Sequence, residues 1–229
     1  MADVNLRKLP KVNLSKNQVV CLTKDGSENS SKLSKVYFGS NWSAIKHYSP
    51  IGFIGKLFGK SSNATIENVD LDSSILIYDR NLRLIDKVCY YNLVSKCGAI
   101  RHSGDDTIGD VDEDDTDNET ILINLDNVNI NAKFLVVILN SYRHHKFNEI
   151  PYAGLRIYTG RLGDPDEVLA SYRVNNNPEF KGKESMILGY FYKSPTGWKF
   201  KADGTATTEK SIDEISMGSA IQVLSNDNF

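Results

Sequence analysis

Short runs of β-forming residues recur along most of the chain, and their spacing limits the fold more than any other feature of the sequence. The runs are rich in Val, Ile, Tyr and Phe and are separated by Gly, Asn, Asp or Pro, which is typical of a β-sandwich. One of them, FLVVIL at 134–139, is apolar at every position, so we expect a central strand covered on both faces. The strand candidates lie at 18–24, 35–39, 73–79, 86–92, 119–125, 133–142, 153–160, 167–174, 185–193 and 197–204.

The end of the chain has a different pattern. Residues 209–224 read as a short helix, which Gly218 weakens. We therefore predict a mainly all-β fold, a β-sandwich of two antiparallel-rich sheets, over residues 1–204, and a C-terminal extension over 205–229 that holds the short helix. The segment 44–65 breaks the strand rhythm, and we expect an inserted loop or short helix that packs on the sheet.

The same insertion, 44–65, supports a second interpretation. Its glycines argue against a stable amphipathic helix, but its apolar side chains alternate with lysines. Such a basic and apolar patch could contact a membrane surface or a partner protein. The side chains concerned are Phe53, Ile54, Lys56, Leu57, Phe58 and Lys60.

Negative charge is concentrated in one stretch, Ser103 to Glu119, which holds nine carboxylates and no Lys or Arg. The whole chain has a formal net charge of −2, and without these nine acids it has 20 acidic and 27 basic side chains. The negative field is therefore local. The stretch is either a solvated acidic loop or a cage of oxygen ligands for a cation such as Ca²⁺.

The common catalytic and metal-binding motifs do not fit this stretch. An EF-hand that starts at Asp110 would have Asp115 in place of its Gly and Ile121 in place of its closing Glu. Zinc is disfavoured because the three cysteines are scattered and the pair His144 and His145 lacks a partner cluster. A phosphate-cradling loop for magnesium chemistry is also missing from the sequence. His102, His144 and His145 are expected to be surface or loop residues and not catalytic ones.

The composition of the chain limits the kinds of partner and the cellular compartment that we expect. The basic residues are spread along the chain and are not clustered with aromatic residues, so we expect no nucleic-acid binding. The start, MADVNLRKLP, lacks the apolar core of a signal peptide. Three cysteines without CxxC spacing are expected to be reduced thiols. We therefore expect a cytoplasmic protein.

Several motifs occur in order between residues 11 and 204, and together they resemble the TerD family of tellurium-resistance and stress-response proteins. The stretch HSGDDTIGDVDEDDTDNE (102–119) follows the family's acidic motif, with three extra residues, Thr116 to Asn118, before the closing Glu119. Val111 and Glu113 stand where the family often has Gly. The other motifs are VNLSKNQVVCLTK (12–24), LSKVYFGSNW (33–42), DLDSS (70–74), YYNL (90–93), FNEIPYAGLRIY (147–158) and SMILGYFYKSPTGWKFKADG (185–204).

The resemblance implies a β-sandwich that binds calcium, expected as two Ca²⁺ ions, where its acidic loops converge, and that is not an enzyme. Alternate residues of a strand share a face, so Asp70 and Asp72 could complete a cage that the acidic loop closes. Asp72→Ala is expected to weaken binding more than Asp117→Ala, because Asp117 lies in the three-residue insertion. The implied metal ligands are Asp70, Asp72, Asn92, Asp105, Asp106, Asp112, Asp114, Asp115 and Glu119.

Three functions are then ranked. The first is a calcium-binding, non-enzymatic stress-response module that presents a calcium-ordered surface to protein partners. The second is a structural or adhesive interaction protein that uses calcium only as a staple, with 44–65 as its partner or membrane patch. The third, a magnesium-dependent hydrolase, ranks far behind because no motif favours it.

Overall fold

The computed structural model describes residues 12–13, 15–24, 26–27, 30–48, 64–112, 114, 116–174 and 178–227. Most of this part of the chain forms strands, and two short helices follow near the end. The strands are β1 (Val12–Asn13), β2 (Val19–Cys21), β3 (Lys35–Trp42), β4 (Ile45–Tyr48), β5 (Ala64–Glu67), β6 (Leu71–Tyr78), β7 (Leu84–Val88), β8 (Ile100–His102), β9 (Glu119–Asn124), β10 (Phe134–Ser141), β11 (Ala153–Arg161), β12 (Asp164–Arg173), β13 (Ser185–Ser194) and β14 (Gly197–Thr207). The helices are α1 (Ile212–Met217) and α2 (Ser219–Ser225).

Two six-stranded sheets form the sandwich. The first has the order β1-β12-β11-β3-β9-β8, and the second has the order β2-β14-β13-β10-β6-β7. Neighbouring strands within the sheets pair antiparallel, except that β1 runs parallel to β12. The predicted fold class, a mainly antiparallel β-sandwich, is confirmed.

Strand β10 occupies the middle of the second sheet, between β13 and β6. Leu135 and Val137 pack into the main core, to which both sheets contribute. Val136 and Ile138 point the other way and pack with residues of α1 and α2. The continuous apolar run is explained because one face of β10 meets the opposite sheet and the other meets the helices.

The C-terminal helices cover the outer face of the second sheet. Ile215 of α1 and Val223 of α2 pack against this sheet, and the hydroxyl of Tyr78 on β6 donates a hydrogen bond of 2.7 Å to the carbonyl of Ser216. Gly218 separates the two helices, so the predicted helix is present but interrupted at the residue expected to weaken it.

The flanks of the 44–65 insertion are strands and not the loop or helix expected from the sequence. β4 and β5 form a separate two-stranded antiparallel sheet, with His47 opposite Thr65 and Ile45 opposite Glu67. All four residues of β5 are exposed. The glycines and the basic and apolar patch of the insertion lie between these strands, outside the described residues.

Within the described ranges, no helix is both long enough and apolar enough to cross a membrane.

Candidate metal site

Three carboxylates from two separate parts of the chain meet at one end of the sandwich. Asp70 immediately precedes β6, Asp72 lies on β6, and Asp105 comes from the loop between β8 and β9. One side-chain oxygen of each lies within 4.8 Å of the other two. The alternation of Asp70 and Asp72 along the strand places both on the same side, where the acidic loop closes over them. We call these three residues the acidic cage.

Burial makes the acidic cage electrostatically costly. Asp72 is only 1% exposed and Asp70 only 4% exposed. Burial, with the nearby charges of Glu119, Asp70 and Asp105, raises the pKa of Asp72 from 3.8 to about 8. Burial and the charge of Asp105 also raise the pKa of Asp70, against the opposing effect of Arg143, whose Nε lies 3.5 Å from Asp70 Oδ2. The protein's own groups therefore compensate the negative charge of the cage only in part.

Asn140 supplies a polar group beside the cage. The antiparallel register places it opposite Asp72, and its amide Nδ2 donates a hydrogen bond of 3.3 Å to Asp72 Oδ2. Its Oδ1 is buried and has no hydrogen-bond partner, which is costly for a polar atom in the interior. Carboxylate and amide oxygens are the ligands preferred by hard cations such as Ca²⁺ and Mg²⁺, so the residues present fit a metal ion of this class.

Glu119 joins the two sheets behind the cage. Its Oε2 accepts a hydrogen bond of 2.8 Å from the backbone N–H of Ser73, the residue that follows Asp72 on β6. The backbone N–H of Asp106 lies 3.4 Å from its Oε1. Glu119 is fully buried and anchors the acidic loop to β6. It adds negative charge near Asp72, but its carboxylate oxygens already accept hydrogen bonds from backbone N–H groups.

His102 was expected on the surface or in a loop, but it is buried at the end of β8. Its Nδ1 accepts a hydrogen bond of 3.1 Å from the backbone N–H of Gly104, so its Nε2 carries the proton. Nε2 donates to the carbonyl of Ser73 at 3.1 Å and lies 3.4 Å from Glu119 Oε2. Both ring nitrogens are therefore engaged, Nδ1 with the start of the acidic loop and Nε2 with β6. The expectation was wrong because this polar side chain is satisfied by the opposite sheet.

Asp106 and Asp110 shape the acidic loop from within. Asp106 Oδ1 accepts hydrogen bonds from the backbone N–H groups of Ile108 and Gly109 at 2.9 and 3.0 Å. Asn118 links the two acids, because its Nδ2 donates to Asp106 Oδ2 at 3.2 Å and to Asp110 Oδ1 at 3.3 Å. These contacts close the loop on itself and leave Asp105 directed to the cage.

Three further predicted ligands, all of them described residues, do not join the three-residue cage. Asp112 is exposed and pairs with Lys46 at 2.5 Å. Asp114 Oδ1 accepts a hydrogen bond of 2.6 Å from the backbone N–H of Thr116. The amide of Asn92 donates to the carbonyl of Lys87. Asp115 lies outside the described residues.

Asp117 occupies a place that the sequence did not indicate. Its side chain is only 3% exposed, and its Oδ1 accepts a hydrogen bond of 2.8 Å from Arg156 Nε on β11. A Cβ on Gly39 of β3 would clash with the Asp117 carboxylate. This acid therefore ties the loop to the first sheet, and the pairing could not be read from the sequence because Arg156 is far away along the chain.

A cavity of about 560 Å³ lies beside the loop. Its lining includes Asp105, Asp106 and Asn118 on one side and Leu162 and Gly163, from the turn between β11 and β12, on the other. The carboxylates of the loop are thus reached from solvent through an open, polar space.

The fold and site together define a class of protein: a two-sheet β-sandwich in which an acidic loop from one sheet closes over paired aspartates of the other. The chain belongs to the TerD domain family, whose model matches residues 11–216. This confirms the family expected from the ordered motifs.

Two of the relatives that match are named for tellurium resistance and for stress response. The tellurium resistance protein TerZ of Serratia marcescens is 31% identical over 204 residues, which cover 89% of this chain and 94% of that protein. The stress response protein SCP2 of Bacillus subtilis (strain 168) is 33% identical over 211 residues, which cover 89% of this chain and 96% of that protein. The chain therefore belongs to a tellurium-resistance and stress-response family.

A solved structure has the same fold. The crystal structure of a homologue of the telluride resistance protein (TerD) from Streptomyces coelicolor A3(2) aligns with a TM-score of 0.56 and 15% sequence identity. The alignment covers 80% of this chain and 95% of that chain. At this identity the likeness concerns the fold alone.

Proposed function

We propose that this protein is a calcium-binding, non-enzymatic stress-response module that presents a calcium-ordered surface to protein partners. The observation that carries the proposal is the convergence of Asp70, Asp72 and Asp105, with their oxygens within 4.8 Å of one another. Two of the three are almost fully buried, and buried charges in proteins are paired or bind metals. A bound cation supplies the positive charge that lets Asp72 ionise at neutral pH.

The donor set favours calcium over magnesium. Calcium accepts six to eight oxygens in a flexible arrangement, whereas magnesium requires near-ideal octahedral geometry and keeps several waters. Here the oxygens come from a rigid strand and from a loop, and the open cavity beside the loop admits water. Carboxylates of Asp70, Asp72 and Asp105 would hold the ion, with the buried amide oxygen of Asn140 as a further donor near Asp72.

A stoichiometry of two ions is part of the proposal. The described residues provide one group of three acidic ligands. A second ion would use the acids that follow Asp106 in the loop, among which Glu113 and Asp115 lie outside the described residues. The number of ions is therefore a quantity for the titration below to measure.

The surroundings of the cage favour binding over catalysis. The ring nitrogens of His102 are both engaged in hydrogen bonds, and Glu119 accepts from backbone N–H groups. The most obvious proton-transfer groups near the cage are thus used to hold the structure. This arrangement supports the non-enzymatic part of the proposal.

Apolar side chains beside the cage supply a surface for a partner. Ile108 and Val111 are about half exposed on the acidic loop itself. Tyr142, also half exposed, donates its backbone N–H to the carbonyl of Asp70 at 3.0 Å. Exposed apolar groups that are fixed next to a charged site are typical of protein-binding surfaces. Calcium would order the loops that carry them.

Calorimetry on chelator-stripped protein, with magnesium as competitor, tests the proposal. We expect calcium to bind well ahead of magnesium, and we expect Asp72→Asn to weaken calcium binding at least about tenfold. Asp126→Asn is the matched control, because Asp126 is an exposed acid in the turn after β9. Equal affinity of the two variants, or no calcium binding by the unaltered chain, would refute the cage.

Hydrogen exchange tests the ordered surface separately. Amides of residues 103–118 and 142–146 should exchange more slowly in calcium than in chelator, because the loops are held to one ion. Amides of β13 should not change, because the sheet is already closed. Unchanged exchange in both loops, in a protein that binds calcium, would leave the ion as a simple staple.

An interaction role for the insertion is a second candidate. The complete exposure of β5 favours it, because an exposed outer strand presents the segment that it borders to solvent. Replacing residues 49–63 by a short Gly-Ser linker should leave calcium affinity unchanged and should abolish binding to anionic vesicles or to a protein partner. Unchanged association after the replacement would remove this candidate.

A further inference from the structure

A second cluster of metal-binding side chains lies at the base of the insertion. His47 on β4 contacts Glu67 on β5 through its Nε2 and the carboxylate Oε2. His145, from the turn after β10, places its Nε2 at 3.0 Å from Glu67 Oε1. Two of the four histidines of the chain therefore converge on one carboxylate.

The fold builds this cluster from three elements that are distant in sequence. The register of β4 and β5 pairs His47 with Thr65 and Ile45 with Glu67, so His47 and Glu67 are diagonal neighbours that can meet on one face. The turn over 142–146 brings His145 to the same face. The sequence suggested that His145 lacked partners because these partners are distant along the chain.

The donor chemistry of the cluster differs from that of the acidic cage. Imidazole nitrogen and carboxylate oxygen in a two-to-one ratio form a donor set typical of zinc sites with an open coordination position. Ligand atoms around a tetrahedral zinc ion lie about 3.4 Å apart, as follows from bond lengths of about 2.1 Å. The distance of 3.0 Å between His145 Nε2 and Glu67 Oε1 is near this value.

The protonation and accessibility of the three side chains suit an incoming cation. Hydrogen bonds from His145 and His47 hold the pKa of Glu67 below its ordinary value, so its carboxylate is ionised. The side chain of His47 is 58% exposed. Among the described residues, only the acidic cage already has three ligand atoms within 4.8 Å of one another, so the His47 side chain must rotate to bring its imidazole nitrogen to an ion held by Glu67 and His145.

The neighbouring cations are already paired with other acids. Lys46 lies 2.5 Å from Asp112, and Lys146 contacts Glu184. His144 also belongs to the second group, with its Nδ1 at 2.8 Å from Glu184 Oε2. These positive groups are therefore engaged away from Glu67, and His144 offers a matched control for His145.

We propose that His47, Glu67 and His145 form a binding site for a borderline divalent cation of the zinc class, with water in the remaining coordination position. The site goes beyond the proposed calcium function and uses none of its ligands. A bound ion would fasten the β4–β5 hairpin, which carries residues 49–63, to the turn over 142–146. Arg143 of this turn contacts Asp70, so the two metal sites share one structural element.

Zinc titration of the full chain, produced without a histidine tag, tests the site. The protein is saturated with calcium to fill the acidic cage, and zinc chloride is added in a calorimeter. We expect about one equivalent of zinc to bind, and we expect His47→Ala and His145→Ala each to weaken binding at least about tenfold. His144→Ala should stay within about twofold of the unaltered chain. Cobalt(II) should give the intense visible absorption of a tetrahedral site, which the two His variants lose.

His47→Ala keeps the test decisive if His145→Ala fails to fold, because His47 is a mostly exposed residue of a surface hairpin. Three results would overturn the site: no zinc binding tighter than about 100 µM, an equal loss in His144→Ala, or zinc binding that disappears in Asp72→Asn and not in His47→Ala. The last result would place zinc in the acidic cage. Loss of calcium binding with zinc binding intact would refute the proposed function and leave this site standing.

Discussion

Replacing Asp72 by Asn should stabilise the calcium-free protein at neutral pH. The carboxyl of Asp72 is buried, and its pKa is raised from 3.8 to about 8, first by burial and then by Glu119, Asp70 and Asp105. The unfolded chain ionises this group freely, whereas the folded chain must keep it protonated or pay for a buried charge. Asparagine has nearly the same shape and cannot ionise.

The direction of the pH effect follows from the raised pKa. The contribution of the protonated Asp72 to stability is fully present below pH 3.8 and is lost as the pH rises to about 8. Each pKa unit corresponds to about 1.4 kcal/mol, so the loss between pH 4 and pH 7 reaches up to about 4 kcal/mol. Water entering the calcium-free site offsets part of this cost. We therefore expect Asp72→Asn to stabilise the chelated protein by about 2 to 4 kcal/mol at pH 7.

Urea unfolding followed by tryptophan fluorescence measures this effect. Curves are recorded in chelator at pH 5, 7 and 8.5 for the unaltered chain, Asp72→Asn and the control Asp126→Asn. The control should change the free energy of unfolding by less than about 0.5 kcal/mol. Calcium at a hundredfold over its dissociation constant should stabilise the unaltered chain by about 2.7 kcal/mol and Asp72→Asn by much less. A chelated Asp72→Asn protein less stable than the control at pH 7 would refute the electrostatic reasoning.

Three further substitutions separate the cage from the rest of the acidic loop. Asp117→Ala should lower the free energy of unfolding in urea by about 3 kcal/mol, because it breaks the pair with Arg156. Calorimetry should still show a calcium dissociation constant within about threefold of that of the unaltered chain. Binding that is tenfold weaker would make Asp117 a ligand. Gly109→Ala should lower the melting temperature by an amount that corresponds to about 2 kcal/mol, since φ is +69° and a Cβ would lie 2.7 Å from Trp42 Cδ1; an unchanged melt would contradict this packing. Asp112→Asn replaces a carboxylate by an amide, as Asp72→Asn does, but at an exposed position. Its calcium affinity should therefore stay within about threefold of the unaltered chain. A loss as large as that of Asp72→Asn would mean that calcium is attracted by the total charge of the loop and not by the cage.

The strand pattern of the sequence predicted much of the fold. Each of the ten candidate runs overlaps a strand of one of the two sheets, because alternation and β-branched residues report on burial within one element. β1, β4, β5 and β8 were missed. β4 and β5 flank a glycine-containing insertion, β1 has only two residues and β8 only three, so none of them carries a clear period.

The candidate site was predictable only in part, for a different physical reason. Strand alternation placed Asp70 and Asp72 on one side, and charge density indicated the loop of Asp105. Which acids of this loop face the cage depends on partners elsewhere in the chain: Asp117 pairs with Arg156, and Asp106 is held by its own loop. Local sequence does not encode such distant pairings.

The position of Asn140 in the sequence could have indicated one more residue of the site. It is a polar residue that directly follows the apolar run of β10, and the strand register sets it opposite Asp72. An amide at the end of a buried strand needs a partner or a ligand. The paired motif DLDSS and this position together would have indicated the strand side of the cage.

A crystal structure of the protein with calcium, with an anomalous difference map, tests the central claim most directly. The account predicts an anomalous peak at about 2.3 to 2.6 Å from carboxylate oxygens of Asp70, Asp72 and Asp105, and no such peak in crystals of Asp72→Asn. A calcium-loaded crystal without a peak between these three residues, or with its peaks only elsewhere in the acidic loop, would contradict it.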